Sequence, residues 1–117
     1  MTTTRILLAA LLSSALAAPA FAHAHLKTSE PAADATVTQA PKSISLTFTE
    51  KLEPNFSGVA VTDGQGHDME AAKPAISDAS MTVTLKPLAA GVYHVAWHAV
   101  ALDTHRTEGK YDFTVKP

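Results

Sequence analysis

The sequence contains no cysteine. In an exported protein that absence leaves no disulfide to staple a small domain, so the fold must rest on its apolar core. Long apolar runs are also scarce. The one candidate, Ile6 through Ala18, is interrupted by Ser13 and Ser14 and followed by Pro19, and it falls short of the ~20 residues a membrane span needs. Positive charge is not in excess, with nine Lys and Arg against eleven Asp and Glu, which argues against nucleic acid as a partner. Helical periodicity is missing from residue 23 onward, and no internal repeat, linker or low-complexity tract interrupts the chain. Methionine is sparse as well: beyond residue 22 only Met69 and Met81 occur, and Met81 alternates with Val83 and Leu85 as a core residue does. Met69 beside His67 is then the one soft-ligand pair beyond residue 22.

The 117 residues allow one domain. Its start is distinctive: Arg5 in a short polar opening, the apolar stretch, and the small-residue ending Ala20-Phe21-Ala22 read as a cleavable secretory signal over residues 1–22. The mature domain is then residues 23–117, beginning at His23. Cleavage removes Arg5 and no acid, leaving eight basic and eleven acidic residues and a formal charge of −3. All six histidines, at positions 23, 25, 67, 94, 98 and 105, lie in this mature part. Free imidazoles are serviceable ligands for borderline metals.

Short runs of period-two alternation, separated by Pro, Gly, Asp and Asn, predict an all-β domain. Ile44, Leu46 and Phe48 alternate with Ser45 and Thr47. Val59 and Val61 lead into the turn Asp63-Gly64-Gln65-Gly66, after which a short polar strand is expected near His67 to Glu70. Met81, Val83 and Leu85 form another alternating set. The strongest strand follows Gly91, with Tyr93, Val95, Trp97 and Ala99 on one face and His94, Ala96 and His98 on the other. Tyr111, Phe113 and Val115 make the last strand, and one more is expected around Leu26. About seven short strands is the number of an immunoglobulin-like Greek-key β-sandwich.

Two stretches could carry chemistry. At a mature N-terminus, the α-amine and Nδ1 of His23 can chelate one ion, and a third nitrogen from a distant imidazole would complete a T-shaped set suited to Cu(II). His25 offers a rival arrangement, a planar set that uses the amides of Ala24 and His25. The second stretch is Asp103-Thr104-His105, where residues two apart in an extended segment project to the same side, so that carboxylate and imidazole converge. Ordinary turn chemistry, with Asp103 accepting a nearby backbone N–H, is the competing reading. His94 and His98, four apart on one strand, are separated by ~13 Å and cannot share an ion.

Taken together, His23-Ala24-His25-Leu26-Lys27, Ser29-Glu30-Pro31-Ala32, Leu46-Thr47-Phe48-Thr49-Glu50, Ala90 through Trp97 and Val100 through His105 resemble the periplasmic copper-resistance proteins of the CopC/PcoC family. The resemblance runs from His23 to Lys116 and implies a Greek-key sandwich. It further implies a Cu(II) site in which His23 supplies amine and imidazole, Asp103 a carboxylate and His105 a second imidazole. Glu50 and His25 are subsidiary candidates. A periplasmic monomer follows, which sequesters copper or delivers it to an inner-membrane transporter of the CopD/PcoD type and catalyses nothing itself. Two other classes compete: a copper oxidase of the polysaccharide-cleaving kind, which also uses an N-terminal histidine, and a metal-free envelope interaction module.

Overall fold

The computed structural model describes residues 23–117; the expected signal segment, residues 1–22, lies outside the described residues. Among the described residues there is no helix, and eight strands follow one another: β1 (Leu26–Glu30), β2 (Thr36–Val37), β3 (Ser43–Phe48), β4 (Gly58–Thr62), β5 (Ala75–Ser77), β6 (Ser80–Thr84), β7 (Gly91–Val100) and β8 (Arg106–Val115). They form two four-stranded sheets, ordered β1-β3-β6-β5 and β2-β8-β7-β4. All pairings are antiparallel except the short β2, which runs parallel to β8. Only β5–β6 and β7–β8 join neighbours within a sheet; every other connection crosses from one sheet to the other, as a sandwich requires.

Alternation decides which face each strand buries. In β3 the inward residues Ile44, Leu46 and Phe48 are buried, in β6 Met81 and Val83, in β4 Val59 and Val61, and in β8 Tyr111, Phe113 and Val115. Phe113 has no exposed surface and stacks on Tyr93 with ring centroids 5.4 Å apart. Met69 packs against this core, so no soft-ligand pair forms with His67, whose imidazole instead meets Asp63 at 3.0 Å. His94 faces outward and contacts Asp112 at 2.7 Å.

The expected alternating strands are present, with differences at the polar ends. Residues His67 to Glu70 form no strand: Asp68 and Glu70 make single bridges to Thr62 and Leu85, and Glu70 Oε1 accepts the Val61 N–H at 3.0 Å, so a side chain replaces a ladder bond. The strands β2 and β5, of two and three residues, are too short to show a period. Strand β8 begins five residues earlier than its apolar pattern, because Thr107 and Gly109 occupy its inward positions beneath Trp97.

Gly109 explains how a tryptophan fits between the sheets. Trp97 lies edge-on to Phe48 at 5.1 Å, and a Cβ on Gly109 would come within 2.5 Å of the indole Cζ2. The indole packs against Phe48 on one side and bare backbone on the other, so a methyl at Gly109 would force it to shift. Gly109→Ala should therefore destabilise the domain by about 1–3 kcal/mol through overpacking and change the fluorescence of the single tryptophan. Gly64→Ala, whose methyl meets nothing within 4 Å, should stay within about 0.5 kcal/mol of the parent. Equal midpoints for the two variants in urea unfolding would contradict this account.

Candidate metal centre

Two chain segments 80 positions apart meet at one end of the sandwich. The first is the N-terminal approach to β1. Ala24 is fully buried in the core cluster, so the chain on either side of it is drawn against the sheet edge. Beyond β3, the Thr49 N–H donates to the His25 carbonyl at 2.9 Å, and Thr49 Oγ1 accepts the His25 N–H at 3.0 Å. On the opposite sheet, Thr107 Oγ1 donates to the Ala24 carbonyl at 2.5 Å. His23 is thereby delivered to the β7–β8 loop.

That loop, residues 101–105, closes the hairpin whose last paired residues are Val100 and Arg106. It is a turn, not the extended segment expected from i, i+2 spacing. Thr104 has a φ of 70° and its N–H donates to the Ala101 carbonyl at 2.9 Å. Asp103 Oδ1 accepts the His105 N–H at 3.1 Å, which is the turn chemistry considered above. The same bond leaves the other oxygen, Oδ2, aimed at the histidines. Turn formation and side-chain convergence are therefore one feature, since the bond that folds the loop also orients the carboxylate.

Asp103 Oδ2 lies 3.3 Å from His105 Nδ1 and 3.7 Å from His23 Nδ1. The two imidazole rings have centroids 4.6 Å apart and cross at 68°. Of the described residues, only His23, Asp103 and His105 form a group of three or more potential ligands, with donor atoms all within 4.8 Å of one another. Bonds of about 2.0–2.2 Å to a first-row divalent ion place ligands in adjacent positions about 3 Å apart, so little movement separates this arrangement from a coordinated one. Both His23 Nδ1 and Asp103 Oδ2 are shielded from solvent without a hydrogen-bond partner. Orphaned polar atoms of that kind are costly unless something binds them.

The backbone N–H of His105 holds the Asp103 carboxyl below its ordinary value; the imidazoles of His105 and His23 reinforce the shift, and partial burial opposes it. The lowered value keeps Asp103 ionised at neutral pH. Its contribution to folding is complete above the ordinary carboxylate range and is lost as pH falls through the lowered folded value. One anionic oxygen facing two imidazole nitrogens is a donor set for a borderline divalent cation.

The other candidates stand apart. The His25 ring is exposed, with its centroid 6.4 Å from that of His23 and its backbone N–H engaged by Thr49. Glu50, next to Thr49 beyond the end of β3, is outside the group of three. Sequence reasoning overlooked Thr49 and Thr107. They pair with positions 24 and 83 residues away, a separation no local pattern reveals.

A family model described as the CopC domain matches residues 26–116, which include Asp103 and His105 and begin just past His23. Copper resistance protein C of Xanthomonas campestris pv. juglandis is 43% identical over 123 residues, covering 97% of this chain and 94% of that protein. The crystal structure of PcoC, a methionine-rich copper resistance protein from Escherichia coli, matches with a TM-score of 0.70 and 43% identity over 81% of this chain and 100% of that one. A stretch of the copper transport protein CutJ of Bacillus subtilis is 31% identical over 99 residues, 81% of this chain but only 18% of that longer protein. With a family model spanning nearly all of the sandwich and solved relatives of the same fold, the chain belongs to the CopC family.

Proposed function

We propose that the processed chain, residues 23–117, binds Cu(II) in the periplasm through the α-amine and Nδ1 of His23, the carboxylate of Asp103 and the imidazole of His105. The observation that carries this reading is the Asp103 oxygen 3.3 and 3.7 Å from two histidine nitrogens, shielded and without a hydrogen bond. Copper suits the set because Cu(II) favours tetragonal N/O ligands and stands highest in the divalent affinity order. The related proteins named for copper resistance and copper transport point to the same ion. Glu50 and His25 serve at most as outer partners, since neither joins the group of three. The ion is cargo, sequestered or passed on by a monomer, and no reaction is assigned to the protein. Delivery to an inner-membrane transporter of the CopD/PcoD type draws support from CutJ, in which the matching stretch is one part of a longer copper transport protein. The start at His23 draws support from the solved PcoC chain, which is fully covered while matching 81% of this chain, the share that residues 23–117 represent.

Three measurements test the ligand set. In Cu(II) titrations of the processed protein against a competing chelator, His105→Ala should weaken binding far more than His25→Ala. The reverse ranking would move the site to the terminal tripeptide. One extra glycine ahead of His23 converts the amine to an amide and crowds the ion, and should cost roughly 100-fold in affinity, about 3 kcal/mol. Unchanged affinity and spectra would remove the amine from the ligand set. An α-amine ordinarily titrates near about 7.7–8.0 and must shed its proton to bind, whereas Asp103 is already ionised at neutral pH. Affinity should therefore rise about tenfold per pH unit on approaching the amine range from below; a flat profile between about pH 5.5 and 7.5 would contradict amine ligation.

A further inference from the structure

The tripeptide His23-Ala24-His25 carries a competing way to hold a divalent ion. With a free amine at residue 23, the amide nitrogens of Ala24 and His25 can each release a proton to solvent and join the amine and the His25 imidazole around one ion. Four nitrogens in a plane suit Cu(II) and Ni(II) alike. Such a set requires residues 23–25 to curl about the metal.

The fold ties down each part of that stretch. The His25 N–H, which would have to be given up, is donated to Thr49 Oγ1 at 3.0 Å, and the same hydroxyl lies 3.4 Å from the His23 carbonyl. The Ala24 carbonyl is held by Thr107 Oγ1 at 2.5 Å, a bond bridging 83 positions in a partly buried setting. Ala24 itself has no exposed surface. Forming the planar set would break both hydroxyl contacts and draw a core residue into solvent.

We infer that Thr49 and Thr107 are specificity-determining residues that select coordination by His23, Asp103 and His105 over the terminal planar set, and so discriminate against nickel. This rests on the copper reading above for the identity of the preferred set. Nickel is the sharper probe of the clamp itself, because its planar four-nitrogen complex is diamagnetic and yellow and needs neither Asp103 nor His105. The two threonines act through the backbone and touch no metal. Each hydroxyl bond is worth roughly tenfold in the balance between the two sets.

The test adds Ni(II) to folded protein beginning at His23, at one pH, and measures planar nickel by absorbance and Cu(II) geometry by electron paramagnetic resonance. Wild type should take up planar nickel at least about tenfold more weakly than a free His-Ala-His peptide. The double variant Thr49→Val with Thr107→Val should bind it at least about tenfold more tightly than wild type and shift its Cu(II) spectrum toward four nitrogens. Serine at both positions should restore wild-type behaviour, and adding His25→Ala to the valine pair should abolish the gain. A folded valine pair with wild-type nickel uptake would overturn the inference. Should that pair fail to fold, the wild-type comparison decides: nickel uptake equal to that of the free peptide overturns the clamp. If His105→Ala leaves Cu(II) binding intact while these nickel results hold, the copper ligand assignment fails and the clamp stands.

Discussion

Everything at the candidate centre depends on the first described residues being held against the body of the sandwich. A segment leading into a first strand would fray if unanchored, because few contacts would offset the conformational entropy of ordering it. Here Ala24 is buried in the core, the His25 backbone is paired with Thr49, and the Ala24 carbonyl is gripped by Thr107. The contacts come from both sheets: Thr49 follows β3 in one, and Thr107 lies in β8 of the other. His23 is thus positioned by the closure of the sandwich as a whole, and any loss of contact between the sheets would loosen it.

The loop that meets His23 is shaped by its own local bonds. Its backbone is turned by Thr104 in the left-handed region and by the N–H of His105 bonded to Asp103 Oδ1. One carboxylate does two jobs: an oxygen stabilises the turn, and its twin faces the imidazoles. Buried Ala101, which bridges to Leu52, roots the loop in the core, while Leu102 beside it is exposed. The turn thus presents Asp103 and His105 at the end of the hairpin with their side chains only partly exposed.

A domain without disulfides holds this geometry by noncovalent contacts alone, with packing prominent among them. The Phe48–Trp97–Gly109 contact is the clearest case, with one sheet supplying Phe48 and the other both the indole and the gap that accommodates it. Trp97 and Gly109 face one another across β7 and β8, in the hairpin whose loop carries Asp103 and His105. Core packing and the candidate centre are therefore coupled through two shared strands.

The strands with a clear period of two were legible, since Ile44-Leu46-Phe48, Met81-Val83 and Tyr93 through Ala99 each need one face out of water, and a period of two admits a single register. Strands β2 and β5 were not, because two or three residues cannot display a period, and the polar start of β8 was hidden because its inward positions are Thr107 and Gly109. The stretch His67–Glu70 misled because a glutamate side chain can satisfy a strand's backbone as well as another strand can. At the centre, residue types and a family resemblance were enough to single out His23, Asp103 and His105. Local reasoning expected the last two to converge along an extended chain, whereas a turn brings them together. Sequence by itself determined the alternation that buries one face of each sheet and the donor atoms available near residues 23 and 103–105. Tertiary structure alone decided that those donors meet within 4.8 Å, that Glu50 and His25 stay outside the group, and that Thr49 and Thr107 hold the backbone of residues 24 and 25. The physical reason is that pairing across 24 to 83 positions depends on how two sheets close on each other, and no local pattern of side chains carries that information.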